Sequence, residues 1–458
     1  NHFMYSKQDF YEGQLRKLGL MEKDAFTCTC YMDEVGNKPE QGEVLSWSES
    51  SAVVYANSVL GARCNRNSGI IDLMGSVVGY VPYFGLLTDE GRKATWIVEI
   101  KTTKKPEAQL LGSAIGMKVM EDVPYIVGLD QWLGELDEDA RTYLKDFGAA
   151  TASNGAVGLY HVEHITPEAV QQGRDLIAEG AKTYVIDDAE LQRVYDSYPI
   201  IWKKKDAKPK LCFMGCPHMS LNQLMTWTER VEQGLKDAGN DKVVIPTVFT
   251  AAPAVIKKFE ETPYGERLKK TGVILSYICP LMYMNNPLST SMPVITSSNK
   301  LRTYTSARYY TDDEILEQIM KKFQGRVVSP GEVSAQAVVT HGGLNTLASF
   351  QKALQFGDKK ATCGDQNNSD LYGKQMAGKA LCLPQTIGST TGGLVLYCAC
   401  AMKRQPACML FSEPIDSLAA AGAVLADVWL EDVSMPVIDS LGEDFLNYVK
   451  DDMTITVK

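Results

Sequence analysis

Three features of the sequence predict an α/β protein built on parallel sheets and followed by a smaller β-rich domain. Beyond residue 210, strand-like, loop and helix-like segments alternate, the pattern that produces a largely parallel sheet. The basic, proline-containing stretch WKKKDAKPK (202–210) sets that region apart from an earlier mixed α/β one. After QGRVVSPGE (324–332) the texture changes to short apolar runs. A chain of 458 residues exceeds what one core organises. The expected division is 1–323, with an internal boundary near 202–210, and 324–458.

The elements follow in order. SWSESSAVVYANSVLGARCNR (46–66) carries a capping box at Ser46 and Glu49 and a small-residue helix ending near Gly61. ATWIVEIKT (94–102) and AVGLYHVEHIT (156–166) are strand-like, and TPEAVQQGRDLIAEG (166–180) is a helix capped by Thr166 with Pro167 in its first turn. Leu211–Met214 is a short buried strand. Ser220 and Gln223 then form a second capping box, opening a helix that runs towards Gly239. KVVIPTVFTAAPAVIKKF, GVILSYICPLMY and MPVITSSNK supply further strand ends, and DDEILEQIMKKF is a helix. In the last part, GKALCLP, GGLVLYCACAM, PACMLFSE, MPVIDS and MTITVK are expected strands, and DSLAAAGAVLADVW an Ala-rich helix.

Composition narrows the function classes. With 45% hydrophobic and 22% charged residues this is an ordinary soluble globular chain. It has no apolar run long enough for a bilayer and no basic leader, so the expectation is cytoplasmic, with no membrane partner. A net charge of -10 and a pI near 5.2 argue against a nucleic-acid partner. The eleven cysteines lack the density of a disulfide scaffold and are expected to be reduced. No GxGxxG, Walker A or HExxH pattern is present, which disfavours a nucleotide-dependent enzyme.

Cysteines at strand ends carry the chemistry. Cys28 in FTCTCY, Cys216 in MGCPH and Cys279 in SYICPL each sit where a strand-like run stops, Cys216 in a strand-to-helix loop. Three thiolates converging from separate loops suit an iron–sulfur cluster or a mononuclear iron, with one position open. Core packing is the competing reading for each. CTC and CAC place two thiols on one face of an extended segment, and Cys398 and Cys400 are expected in a core strand. Cys64, between Arg63 and Arg66, is either an activated thiol or a partly buried one. Arg63, Asn65 and Arg66 suit either a carboxylate or phosphate, or surface salt bridges. Gly388, Gly392 and Gly393 bracket Ser389, Thr390 and Thr391, as an anion nest, an activated serine or an ordinary polar loop. His161 and Glu163 share a strand face, where packing is the favoured role.

Together, FTCTCY, WSESSAVVYANSVLGARCNR, YHVEHITPEA, GCPHMSLNQL, ICPLMY, TSSNKLRTY and GKALCLPQTIGSTTGG resemble the aconitase X family, a branch of the aconitase superfamily, in family order across nearly the whole chain. The resemblance implies an aconitase-like large region over 1–323 and a fused, small swivelling domain over 324–458. It also implies hydro-lyase activity on a small carboxylate, cis-3-hydroxy-L-proline-like or mevalonate 5-phosphate-like. Isomerisation, or a non-catalytic regulatory role, are the alternatives. It assigns Cys28, Cys216 and Cys279 as ligands of a 2Fe–2S or 4Fe–4S cluster or a mononuclear iron, and Ser389 as catalytic base. His218 falls to substrate or to ligand support. Ser50, Ser51, Arg63, Asn65 and Lys300 are the expected substrate clamp. Ile387 stands where the family has arginine, SFQKALQF replaces a Ser-Phe-Trp-Gly-Gly pattern, and TSSN departs from Thr-Asn-Ser. These changes point to a different substrate or to lost activity. Family large subunits also carry a His-Ile-Ser-Gly segment upstream of what matches Asn1, expected here from a separate polypeptide, a proteolysed fragment or a further segment.

Overall fold

A computed structural model describes residues 6–20, 26–205, 207, 209–238, 240–287, 289–320 and 323–457. The chain separates into two compact units, Asn1–Leu235 with Asp241–Met320, and Lys236–Asn240 with Lys321–Lys458.

The larger unit holds two all-parallel sheets. In the first, β1 (Ala94–Ile100), β2 (Pro124–Val127), β3 (His161–Val162) and β4 (Ile177–Ile186) lie in the order β3-β2-β1-β4. The helices Ser50–Ser58, Ala108–Val119 and Glu138–Asn154 build its core through Val54, Leu111 and Phe147, packed with Tyr160 just before β3, all fully buried. AVGLYHVEHIT contributes only two strand residues, and the expected helix from Pro167 ends at Gln172, where Gly173 opens a 3-10 turn leading into β4. The box expected at Ser46 and Glu49 does not form. Glu49 is itself the N-cap, accepting from the Ser51 N–H, while the Ser46 hydroxyl donates to the Asp72 carbonyl.

In the second sheet, β5 (Leu211–Met219), β6 (Thr247–Ala251), β7 (Ile274–Ser276), β8 (Val294–Thr296) and β9 (Arg308–Tyr309) lie in the order β7-β6-β5-β8-β9. Alternation with the helices Leu221–Ala238, Pro253–Glu260 and Asp312–Met320 gives the parallel crossovers that the sequence predicts. Ser220 and Gln223 cap the first of these helices reciprocally, each side chain taking the other's backbone N–H at 3.1 Å. Gly239 lies outside the described residues.

The smaller unit contains β10 (Arg326–Ser329), β11 (Val333–Val339), β12 (Leu344–Asn345), β13 (Ala380–Leu383), β14 (Thr386–Ile387), β15 (Cys408–Phe411), β16 (Val437–Asp439) and β17 (Thr454–Val457). Six form a mixed sheet, β10-β16-β15-β13-β11-β17, with parallel centre and antiparallel edges. β12 and β14 pair separately. The unit is more helical than expected, because GGLVLYCACAM is not a strand but the Gly392–Ala401 helix. The reason is its packing. A Cβ on Gly393 would lie 2.5 Å from the Leu418 carbonyl oxygen, and one on Gly422 2.4 Å from that of Gly393, so paired glycines let this helix touch the Ala-rich Ser417–Trp429 helix backbone to backbone. Cys398 and Cys400 therefore sit on a helix, and Cys400 is core. Among the described residues no helix is long and apolar enough to cross a membrane.

Candidate functional site

β5 is regular as far as Met214 and then loses register with β6 before Met219. Gly215 makes the break possible: its φ is +96°, and a Cβ there would lie 2.3 Å from the Thr250 carbonyl oxygen. The Thr250 hydroxyl donates to the Gly215 carbonyl at 2.7 Å, and the Cys216–Pro217 peptide is cis. Cys216 thus lies buried inside the irregular end of β5 rather than in a loop beyond it. Its carbonyl accepts from Ser298 Oγ and from Gln109 Nε2. Cys279 follows β7 as the N-cap residue of the Pro280–Met284 helix. Cys28 occupies a turn with Cys30, so CTC is not extended, and its Sγ accepts the His218 backbone N–H at 3.2 Å.

Thiols from three separate segments lie within electrostatic reach of one another. Burial pushes Cys28 up to about 11, with Glu49 and Cys279 adding to the rise and Lys300 and the His218 N–H opposing it. Burial pushes Cys216 up to about 12, Lys300 opposes, and Cys28 and Cys279 add to the rise. Burial therefore keeps the Cys28 and Cys216 thiols from ionising alone, and both are within electrostatic reach of Cys279. As they stand, no three Cys, His, Asp or Glu side chains among the described residues are arranged closely enough to hold a metal ion. By donor chemistry the set fits iron: the thiols are unpaired, come from different loops, and have a buried cation beside them to offset thiolate charge.

That cation is Lys300, from the Asn299–Tyr304 helix, whose Ser298 cap accepts from the Leu301 N–H. Lys300 is 6% exposed and forms an ion pair with Glu49, with Ser51 Oγ 3.5 Å from its Nζ. Burial alone would depress its pKa; Glu49 and the thiols of Cys216 and Cys28 outweigh that and hold it above the usual lysine value. The Ser51 hydroxyl donates to Glu49 at 2.8 Å. His218 is buried, with Nδ1 2.9 Å from the Thr27 hydroxyl. Burial, then the nearby Lys145, lower its pKa to about 4, so the ring is neutral at pH 7. Lys145 is itself fully buried and paired with Asp146 at 2.6 Å.

The other predicted clamp residues are placed differently. Arg63 donates to the Leu87 carbonyl at 2.8 Å and to Asp89 at 2.5 Å. Asn65 bonds the Phe84 carbonyl and the Leu86 N–H. Their side chains hold the 84–89 segment, and Asn65 also lines the cleft onto which Ser50 opens. That cleft, about 450 Å³ in volume, is shared with Ser48, Arg66 and Glu121. Cys64, expected between two activating arginines, is fully buried, and burial raises it to about 11. In the smaller unit Ser389 is exposed, its Oγ 2.6 Å from the Thr391 hydroxyl and accepting the Thr391 N–H at 3.3 Å. The sequence reading missed Glu49 as the partner of Lys300, Gln109 and Ser298 as supports of Cys216, and Lys145 beside His218. Of these only Ser298, a serine just before a helical run, carried a readable signal.

A parallel-sheet α/β protein with converging thiols and a buried lysine at the carboxyl edge of one sheet, joined to a separate small α/β unit, is the class these features define. Models of the aconitase X first domain, second domain and swivel domain match residues 2–90, 94–196 and 322–458, together most of the sequence, and the chain belongs to the aconitase X family. The phosphomevalonate dehydratase large subunit of Thermococcus kodakarensis is 35% identical over 278 residues, 59% of this chain and 66% of that one. The small subunit from the same organism, a separate protein, is 26% identical over 24% of this chain and 77% of its own length. Cis-3-hydroxy-L-proline dehydratase of Hypocrea jecorina is 31% identical over 62% of this chain and 48% of its own length. The matches thus span just under two thirds of the large subunit and about half of the proline-derivative enzyme. The crystal structure of Thermococcus kodakaraensis aconitase X in its holo-form superimposes with a TM-score of 0.56 at 31% identity, over 68% of this chain and 78% of that one.

Proposed function

We propose that this chain is a hydro-lyase that removes water from a small hydroxy acid, with a cis-3-hydroxy-L-proline-like substrate and a thiol-held iron centre. The observation that carries the reading is the approach of Cys28, Cys216 and Cys279 beside a buried Lys300. Dehydration next to a carboxylate requires a base for the α proton, cations to hold the carboxylate, and a Lewis acid for the departing hydroxide. Iron held by the three cysteines, as a 2Fe–2S or 4Fe–4S cluster or a single ion, supplies the Lewis acid. Lys300, pinned by Glu49, holds positive charge at the thiols. Neutral His218, whose backbone N–H bonds the Cys28 thiol, can bond the substrate. Ser389 is the base in this reading, supported by the Thr391 N–H that bonds its oxygen.

The substrate reading is supported by domain content. First, second and swivel domains occupy one chain here, whereas phosphomevalonate dehydratase carries its name as separate large and small subunits. Phosphomevalonate is the second reading, favoured by the 35% identity to that large subunit. The unpaired cysteines support a cytoplasmic setting.

Iron and acid-labile sulfide per chain, measured after oxygen-free purification of wild type and Cys216→Ser, test the centre. Stoichiometric iron that the variant loses while remaining folded is the expected result. Iron absent from both folded samples would overturn the reading.

A further inference from the structure

The cleft at the start of the Ser50–Ser58 helix contains two opposite charges that do not satisfy one another. Arg66 lays its stem against Gly158, where an added Cβ would fall 3.0 Å from the arginine Cδ. Arg66 lines the cleft with Glu121 and Ser48, and both charged residues are exposed to solvent. Glu121 is within electrostatic reach of Arg66, yet among the described residues neither side chain makes an ion pair or hydrogen bond, and neither do the hydroxyls of Ser48 and Ser50. Neighbouring charges are committed elsewhere: Arg63 to Asp89, Arg92 to Glu168, Lys300 to Glu49.

We propose that this cleft binds a small zwitterion, its carboxylate on Arg66 and its ammonium on Glu121, and that these two residues set the charge specificity of the site. The proposal takes from the hydro-lyase reading only the class of ligand; the cleft is lined by none of Cys28, Cys216, Cys279, His218 or Lys300, and no step of the dehydration is placed in it. A molecule carrying both charges pairs each side chain with a charge-assisted hydrogen bond. Ser50, which also lines the cleft, brings a hydroxyl donor at the start of its helix. A ligand with several negative charges would meet Arg66 alone among the described cations lining the cleft and would set its surplus charge against Glu121, a repulsive element of the kind that specificity requires. A volume of about 450 Å³ accommodates either ligand, so charge rather than size discriminates.

Calorimetric titration of the full chain with L-proline, and with tetrahydrofuran-2-carboxylate as the same ring without the ammonium, tests the assignment. Wild type is expected to prefer proline by about tenfold or more. Glu121→Gln removes that preference by weakening proline alone, and Arg66→Gln weakens both by about tenfold or more, with circular dichroism confirming that both variants are folded. Failure of wild type to bind proline, or an equal effect of Glu121→Gln on both ligands, overturns the proposal. The two readings fail separately. Dehydration of a phosphorylated hydroxy acid without proline binding removes this site and leaves the hydro-lyase. Proline binding that depends on both residues in a chain holding no iron removes the hydro-lyase and leaves the site.

Discussion

The first turn of the Ser50–Ser58 helix has two sides, and they treat charge in opposite ways. On one, Lys300 is buried and meets Glu49, which also takes the Ser51 N–H and hydroxyl; the protein supplies every counter-charge itself. On the other, Arg66, Glu121, Ser48 and Ser50 line a cleft with no such partners among the described residues. A buried ion pair must be closed within the fold, because an unpaired charge there costs several kcal/mol. A cleft open to solvent can leave its charges to water until a ligand arrives. The difference separates residues that set up a chemical environment from residues that await a molecule.

The largest effect that sharpens this comparison is on the closed side. Lys300→Met leaves Glu49 and Ser51 without their cation. Because the Glu49 side chain is 41% exposed, solvent screens part of the loss, and the expected destabilisation is about 1–3 kcal/mol rather than the full cost of a buried charge. Urea unfolding of Lys300→Met, Glu49→Gln and the double variant forms a cycle. The double variant should recover much of the loss. Strict additivity would show that the pair is not a unit.

A smaller effect comes from carboxylates on the far side of Cys216. A small cavity there is lined by Glu107, Asp146 and Asp312, and Glu107 Oε1 accepts the Asp312 N–H at 3.3 Å. Burial raises the pKa of both Glu107 and Asp312, and Asp312 raises Glu107 further. The native state therefore binds protons more tightly than the unfolded chain. Their contribution is fully present below the unfolded carboxylate range and is lost as pH rises from there through the elevated native values. Glu107→Gln should raise stability at pH 8 by about 1 kcal/mol and flatten its fall between pH 6 and 8. Unfolding midpoints at the two pH values check this, and an unchanged slope would show that the carboxylate is not protonated in the native state.

The parallel sheet around Cys216 was legible because its strands are short apolar runs punctuated by caps and prolines, and Ser220 with Gln223 bond each other as their spacing implies. GGLVLYCACAM was misread because a uniformly apolar run has neither a 2-residue nor a 3.6-residue period to distinguish strand from helix. What decides is the contact of Gly393 with Gly422, which lies almost thirty residues away. The cysteines were visible as thiols at strand ends, but the partners that define their surroundings were not. Glu49 reaches Lys300 from 251 positions away and Gln109 reaches Cys216 from 107, separations over which no local pattern operates. Arg63 and Arg66 show the same limit. Three positions apart in one motif, one is bound to Asp89 and the other lines the cleft, and nothing in GARCNR says which.

The smallest expected effect lies on the open side. Arg66→Gln removes a guanidinium that bonds no described residue and keeps part of the stem that rests on Gly158, so stability should change by no more than about 0.5 kcal/mol. This is informative because the same residue is expected to govern ligand affinity. A structural arginine such as Arg63, tied to Leu87 and Asp89, loses stability when replaced; a recognition arginine loses only binding. Urea unfolding of Arg66→Gln beside Arg63→Gln separates the two. A loss above about 1.5 kcal/mol for Arg66→Gln, well beyond the range of a surface change, would place it with the scaffold and erase the contrast between the two sides of the helix.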